Sequence, residues 1–162
     1  LRRDKCRTPH GAIVERYYVL EFAPWVNMVA ITPRNELVMV RQYRHGIERT
    51  LLELPCGYVD PGEEPLAAAK RELAEETGYS GHEFIEVGRL SANPATHNNL
   101  THCYLIPNAF RVGEPQPEKT EQLEVVLKPL PDVVRMMESG ELLQALHLGS
   151  LFLALRKLGH TF

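Results

Sequence analysis

The stretch Gly57 to Tyr79 (GYVDPGEEPLAAAKRELAEETGY) constrains this chain more than any other. Gly57, Asp60, Pro61 and Gly62 are turn chemistry, because Gly and Pro-Gly supply the backbone angles of a tight loop. Pro65 suits a first helical turn, where its missing N–H costs nothing. Leu66 to Arg71 are mostly strong helix formers, and Gly78 is a C-terminal cap. The spacing therefore predicts a loop followed by a helix.

The charges of that helix are unusual in place. Glu72, Glu75 and Glu76 fall in its last turns, and positions i, i+3 and i+4 share one face. Acids at the negative end of a helix dipole cost roughly 0.3–1 kcal/mol each, and each like-charge pair adds about 0.2–0.5 kcal/mol. A divalent cation reverses the sign of that repulsion, since clustered hard oxygen ligands suit Mg²⁺ or Mn²⁺. From the helix alone two readings stand: a cation site, or a solvated acidic face partnered by Lys70 and Arg71.

The spacing decides between them. Gly57 is followed after five residues by Glu63 and after seven more by Arg71-Glu72-Leu73; Glu75-Glu76, Gly78 and an apolar residue complete the run. This resembles the Nudix box with every invariant polar position filled, Tyr79 standing where an aliphatic residue is commoner. The box covers about a seventh of the chain, and weaker resemblance extends over most of the rest. Residues 41–57 (RQYRHGIERTLLELPCG) resemble the run before the box in the ADP-ribose and nucleoside diphosphate sugar pyrophosphatase branch.

Either side of the box the chain is strand-rich. Strands are expected over 13–22, 26–32, 36–43, 51–54, 83–91, 100–106 and 123–127, with turns at Thr8–Gly11, Pro33–Asn35 and 92–99. Residues 108–120 read as a long surface loop, and 131–138 as a short helix. Leu148, Leu151, Phe152, Leu155 and Leu158 follow helical spacing to Gly159. This order predicts an α+β (mixed α/β) fold. The resemblance implies the same: a mixed sheet between helices, a loop–helix–loop box, and N-terminal antiparallel strands. One domain is expected over residues 1–162, with residues 1–22 contributing to a homodimer as in relatives of that branch.

The resemblance also implies roles. Glu72, Glu75, Glu76 and the backbone carbonyl of Cys56 become the expected metal ligands, for Mg²⁺ or Mn²⁺. A thiolate role for Cys56 is not expected, because Mg²⁺ prefers oxygen. Glu63 and Arg71, with Gly57 and Gly78, brace the box. Glu121, with Glu118 in reserve, matches a loop acid that activates water; Glu75 is the other candidate for the base. Arg44, Arg41, Glu53 and Trp25 are the expected substrate contacts, with Tyr17 an alternative to Trp25 for stacking a base and His97 a further candidate. Pro94 matches a proline associated with ADP-ribose hydrolases, although Asn93-Pro94-Ala95 departs from the commoner Pro-Gly. The implied activity is hydrolysis of a nucleoside diphosphate sugar, ADP-ribose leading. Hydrolysis of dinucleoside polyphosphates or nucleoside triphosphates, a non-catalytic nucleotide sensor, and a purely structural partner are the alternatives.

Composition narrows the setting. A net charge of −3 gives no electrostatic case for nucleic acid. No apolar run has the length of a membrane span, and the first residues lack a signal-peptide core. Leu1 rather than Met is consistent with native residues before it. Cys6, Cys56 and Cys103 make neither a zinc pattern nor a disulfide framework, so reduced thiols in a cytoplasm are expected, Cys103 as a core residue. His45, His97 and His102 are not spaced as a metal triad.

Overall fold

A computed structural model describes residues 1–117 and 122–161. The strands are β1 (Arg2–Arg7), β2 (Ile13–Val19), β3 (Trp25–Ile31), β4 (Glu36–Arg44), β5 (Arg49–Glu53), β6 (Cys56–Tyr58), β7 (Tyr79–Ser80), β8 (Ile85–Leu90), β9 (Thr101–Pro107), β10 (Phe110–Arg111) and β11 (Leu123–Pro129). The helices are α1 (Pro65–Thr77), α2 (Leu130–Ser139) and α3 (Ala145–Lys157). The main sheet runs β11-β4-β3-β9-β8, with β5 added to β4 and β6 to β3. β3 and β9 pair in parallel and the other pairings are antiparallel, so the sheet is mixed. The expected α+β class is what forms.

β3 shows how the layers assemble. Successive side chains point to opposite faces of a strand. Val26, Met28 and Ala30 join Ala68, Ala69 and Leu73 of α1 in one buried cluster. Val29 and Ile31 join Leu130 and Val133 of α2 and Leu151, Ala154 and Leu155 of α3 in another. Both faces of the strand are covered, which is why it reads as a near-continuous apolar run. The exception is Asn27, fully buried, whose amide donates to Ser150 Oγ of α3 at 3.0 Å.

The strand readings at 26–32, 36–43, 83–91, 100–106 and 123–127 agree with the structure within one to two residues at most ends. Residues 1–12 hold a strand the polar sequence does not advertise: β1 pairs antiparallel with β2 in a separate two-stranded ribbon. Its alternate positions are largely exposed, so no apolar period marks it. Within the expected loop at 108–120, β10 pairs with β7 and packs this segment beside the end of α1. No helix among the described residues is long and apolar enough to cross a membrane.

The two glycine caps differ in surroundings. Gly78 closes α1 at φ +71°, and a Cβ there would stand 2.3 Å from the Gly113 carbonyl oxygen. Gly140 closes α2 at φ +77° with nothing within 4 Å of a Cβ. Gly140→Ala is expected to cost about 1–2 kcal/mol, the left-handed strain alone. Gly78→Ala adds a backbone collision and should cost clearly more. Urea unfolding of the two variants checks the order.

Candidate active site

The box helix is fixed at both ends. Pro65 occupies its first position, and the Gly78 N–H donates to the Ala74 carbonyl. The segment after β10 returns to its C-terminus: Val112 N–H (2.8 Å) and Gly113 N–H (3.3 Å) donate to the Gly78 carbonyl, and Gln116 N–H donates to that of Glu75 (2.7 Å). Carbonyls that a helix end leaves over are thereby satisfied.

Arg71 gathers the acids. Its Nε and Nη2 donate to the two oxygens of Glu63 at 3.0 and 2.8 Å. Its Nη1 donates to Glu72 at 2.8 Å and to Glu75 at 3.2 Å, while Nη2 also reaches the Tyr58 carbonyl at 3.1 Å. The guanidinium holds the Glu63 carboxyl below the usual range, and these carboxylates, Glu63 first, raise Arg71 above its own. Glu63 further accepts the Asp60 N–H at 3.1 Å, which ties the loop to the helix.

The third acid is held by main chain. Glu76 is buried, and its Oε2 accepts the Cys56 N–H of β6 at 2.9 Å. Glu72, Glu75 and Glu76 thus line one cleft. Arg71 holds Glu72 and Glu75, while the β6 main chain holds Glu76.

The segment before the box completes the wall. Arg44 is held by buried Glu53 through contacts of 2.8 and 2.7 Å and lies 3.8 Å from the Cys56 sulfur. Burial, then the Glu76 carboxylate, pushes the Cys56 thiol far up, so it stays protonated. A Cβ at Gly57 would fall 2.1 Å from the Glu72 carboxylate carbon. A Cβ there would displace the carboxylate, and the main chain passes directly beside the acid.

These groups open onto one cleft of about 190 Å³, whose lining includes Trp25, Arg44, Cys56, Glu72, Glu75 and Glu76. Carboxylates beside main-chain oxygens form a hard-oxygen donor set, which fits a divalent cation such as Mg²⁺ or Mn²⁺. Glu72, Glu75, Glu76 and the Cys56 carbonyl are the groups able to hold one.

The other expected contacts are distributed differently. Trp25 lines the cleft with its ring edge-on to Tyr58, centroids 4.1 Å apart. Arg41 does not line it; it pairs with Glu124 of β11. Strand alternation accounts for this, since Gln42 and Arg44 share the cleft face and Arg41 and Tyr43 the other. Glu53 is likewise not a cleft-lining group and acts on Arg44 instead. The Tyr17 hydroxyl donates to the Ala95 carbonyl, and His97 packs edge-on against Phe22, both among the N-terminal ribbon and the 92–99 loop. Pro94 is exposed in that loop. Glu118 and Glu121 lie outside the described residues.

Sequence reading missed Tyr58, Asp60, Gln42 and Pro117 in the cleft lining, and His147 behind it. His147, on α3, is buried and accepts the Leu54 N–H on Nδ1 at 3.3 Å. Burial, and then the Arg44 charge, push its pKa down to about 3. The available signal was a histidine on the apolar face of an amphipathic helix.

Fold and site together define a Nudix protein. The chain belongs to the NUDIX family, whose domain model matches residues 22–145. Within the family it is similar to ADP-ribose pyrophosphatases. One, from Bacillus subtilis (strain 168), is 32% identical over 138 residues, covering 85% of this chain and 74% of that protein. Another, from Mycobacterium tuberculosis (strain ATCC 25618 / H37Rv), is 34% identical over 148 residues, covering 90% and 71%. A crystal structure of an ADP compounds hydrolase superposes with a TM-score of 0.80 at 24% identity, over 97% of this chain and 84% of that one, and shows the shared fold. Nudix hydrolases generally need a divalent metal.

Two outcomes follow from the geometry. In Gly57→Ala the displaced group is a side-chain tip, so the unfolding free energy should change by no more than about 1 kcal/mol. The thermal stabilisation that Mn²⁺ gives the wild type should be lost, read in a melting series with and without the ion. The second concerns pH. His147 has a folded pKa below its unfolded value, so its contribution is complete above about pH 6.5 and is lost as pH falls toward 3. Between pH 7 and 5 the stability advantage of wild type over His147→Asn should shrink by on the order of 2 kcal/mol, measured by urea unfolding.

Proposed function

We propose that this chain hydrolyses the diphosphate of ADP-ribose to AMP and ribose 5-phosphate, with Mg²⁺ or Mn²⁺ as cofactor. The observation that carries this reading is one cleft holding the Glu72, Glu75 and Glu76 carboxylates, the Gly57 main chain and the Arg44 guanidinium together. The ADP-ribose pyrophosphatases to which the chain is similar support the substrate.

A divalent cation, when bound, would supply charge neutralisation at the diphosphate and a more acidic attacking water. Glu72 and Glu76, with Glu75 and the Cys56 carbonyl, would hold it. Glu76 is oriented for this by the Cys56 N–H, and Glu72 by Arg71. Arg44, set by Glu53, offers a planar fork that suits phosphate oxygens. Water attacks one phosphorus, the bridging P–O bond breaks, and the water's proton passes to an acid. Glu75 at the cleft wall and Glu121 are the candidates for that acid. Trp25 beside Tyr58 offers an aromatic surface to the base.

The reading extends to the setting of one Nudix domain over the chain, in the cytoplasm, as a homodimer. The β1–β2 ribbon supports the dimer, since it leaves Ile13, Tyr17 and Tyr18 exposed.

Phosphorus NMR of ADP-ribose with enzyme and Mg²⁺ or Mn²⁺ should show AMP and ribose 5-phosphate; EDTA should abolish this and added metal restore it. GDP-mannose, UDP-glucose, a diadenosine polyphosphate and nucleoside triphosphates should turn over more slowly. Glu76→Gln should lower kcat by roughly 10²-fold or more. Tight nucleotide binding with no turnover of any compound would overturn the reading in favour of a sensor.

A further inference from the structure

The four residues Glu53 to Cys56 carry much of the site, and each is tied to a different element. The Glu53 carboxylate holds Arg44 of β4. The Pro55 carbonyl accepts the Met28 N–H of β3 at 3.0 Å, and Pro55 itself has no N–H to place. The Cys56 N–H donates to Glu76 of α1. The remaining donor, Leu54 N–H, is buried and goes to a side chain 93 positions away, Nδ1 of His147 on α3. A buried amide left without an acceptor costs about 1–3 kcal/mol, so this bond is a condition on the path of the main chain.

The acceptor role fixes the ring. Nδ1 accepts the hydrogen bond of the Leu54 N–H, so the ring is neutral and its own proton sits on Nε2. Three residues further along α3, Ser150 Oγ receives the Asn27 amide at 3.0 Å and donates to the Leu146 carbonyl at 2.7 Å. Asn27 is the β3 residue that pairs with Cys56. One face of α3 therefore grips the 53–56 segment directly at Leu54 and, through β3, opposite Cys56. His147 itself does not line the cleft.

We propose that His147 is a positioning residue of the active site. Its Nδ1 sets the Leu54 N–H and so the main chain of Cys56, which orients Glu76 and presents the Cys56 carbonyl. The proposal rests on the metal-dependent reading of the cleft, and it reaches that site through two intervening residues.

The test compares His147→Asn, His147→Gln and His147→Leu in the full chain. Asn places its oxygen near the position of Nδ1, whereas Gln reaches toward Nε2. Mn²⁺ binding is read without substrate by electron paramagnetic resonance of the free ion, and kcat and KM for ADP-ribose are read separately. His147→Asn should stay within about threefold of wild type in both Mn²⁺ affinity and kcat. His147→Gln and His147→Leu should bind Mn²⁺ about tenfold more weakly and lose about tenfold in kcat, with KM changed less than about twofold. Equal Mn²⁺ affinity in the Asn and Gln variants would overturn the proposal even if the Leu variant fails to fold. A wild type that takes up no Mn²⁺ overturns it too. Wild type that binds Mn²⁺ but turns over no nucleotide sinks the ADP-ribose reading alone, because the Asn–Gln comparison still reports on His147.

Discussion

The fold of the box depends on one guanidinium. An acidic cluster at the C-terminal end of α1 works against the helix dipole and against itself. Arg71 answers this with ion pairs to Glu63, Glu72 and Glu75 and a bond to the Tyr58 carbonyl. Exposed pairs of this kind contribute little singly, but a shared, forked cation places each acid in a definite position. It joins the loop, the strand β6 and the helix, so the geometry of the acids is set before any ligand arrives.

The second support is main-chain rather than ionic. β6 is only three residues long, yet it carries the Cys56 N–H to Glu76 and the Gly57 Cα against Glu72. Its path is fixed from three directions: β3 by pairing, α1 by Glu76, and α3 by the His147 bond to neighbouring Leu54. In the proposed reaction this sharing makes the cleft sensitive to a helix that never touches it. Packing of α2 and α3 on the far face of the sheet and chemistry on the near face meet at a single turn.

Much of this was legible in the residues. The box announces itself because turn glycines, a proline start, a glycine stop and fixed acid spacing all agree on one local structure. Long strands such as β3 and β9 are legible from their apolar runs. β1 was not, because RRDKCR lies in an exposed ribbon with no buried face to impose a period. β6, β7 and β10 are too short for any periodicity to build up. Arg41 was grouped with Arg44 although the two stand three apart on a strand and so face opposite ways. The pairing of Glu53 with Arg44, nine residues earlier, exists only once β4 and β5 fold together, so the sequence does not single it out. The position of His147 on the apolar face of α3 is legible, but its partner is not, because a backbone N–H leaves no mark in the sequence.

In the proposed reaction the α1 carboxylates and the β6 main chain form one divalent-cation site beside Arg44. Anomalous scattering from crystals grown with Mn²⁺ and a non-hydrolysable ADP-ribose analogue tests it most directly. Anomalous density is expected in the cleft against Glu72, Glu76 and the Cys56 carbonyl, with the analogue's diphosphate reaching both the ion and Arg44. An empty cleft in crystals that hold Mn²⁺ elsewhere, or a diphosphate seated away from Arg44, would contradict it.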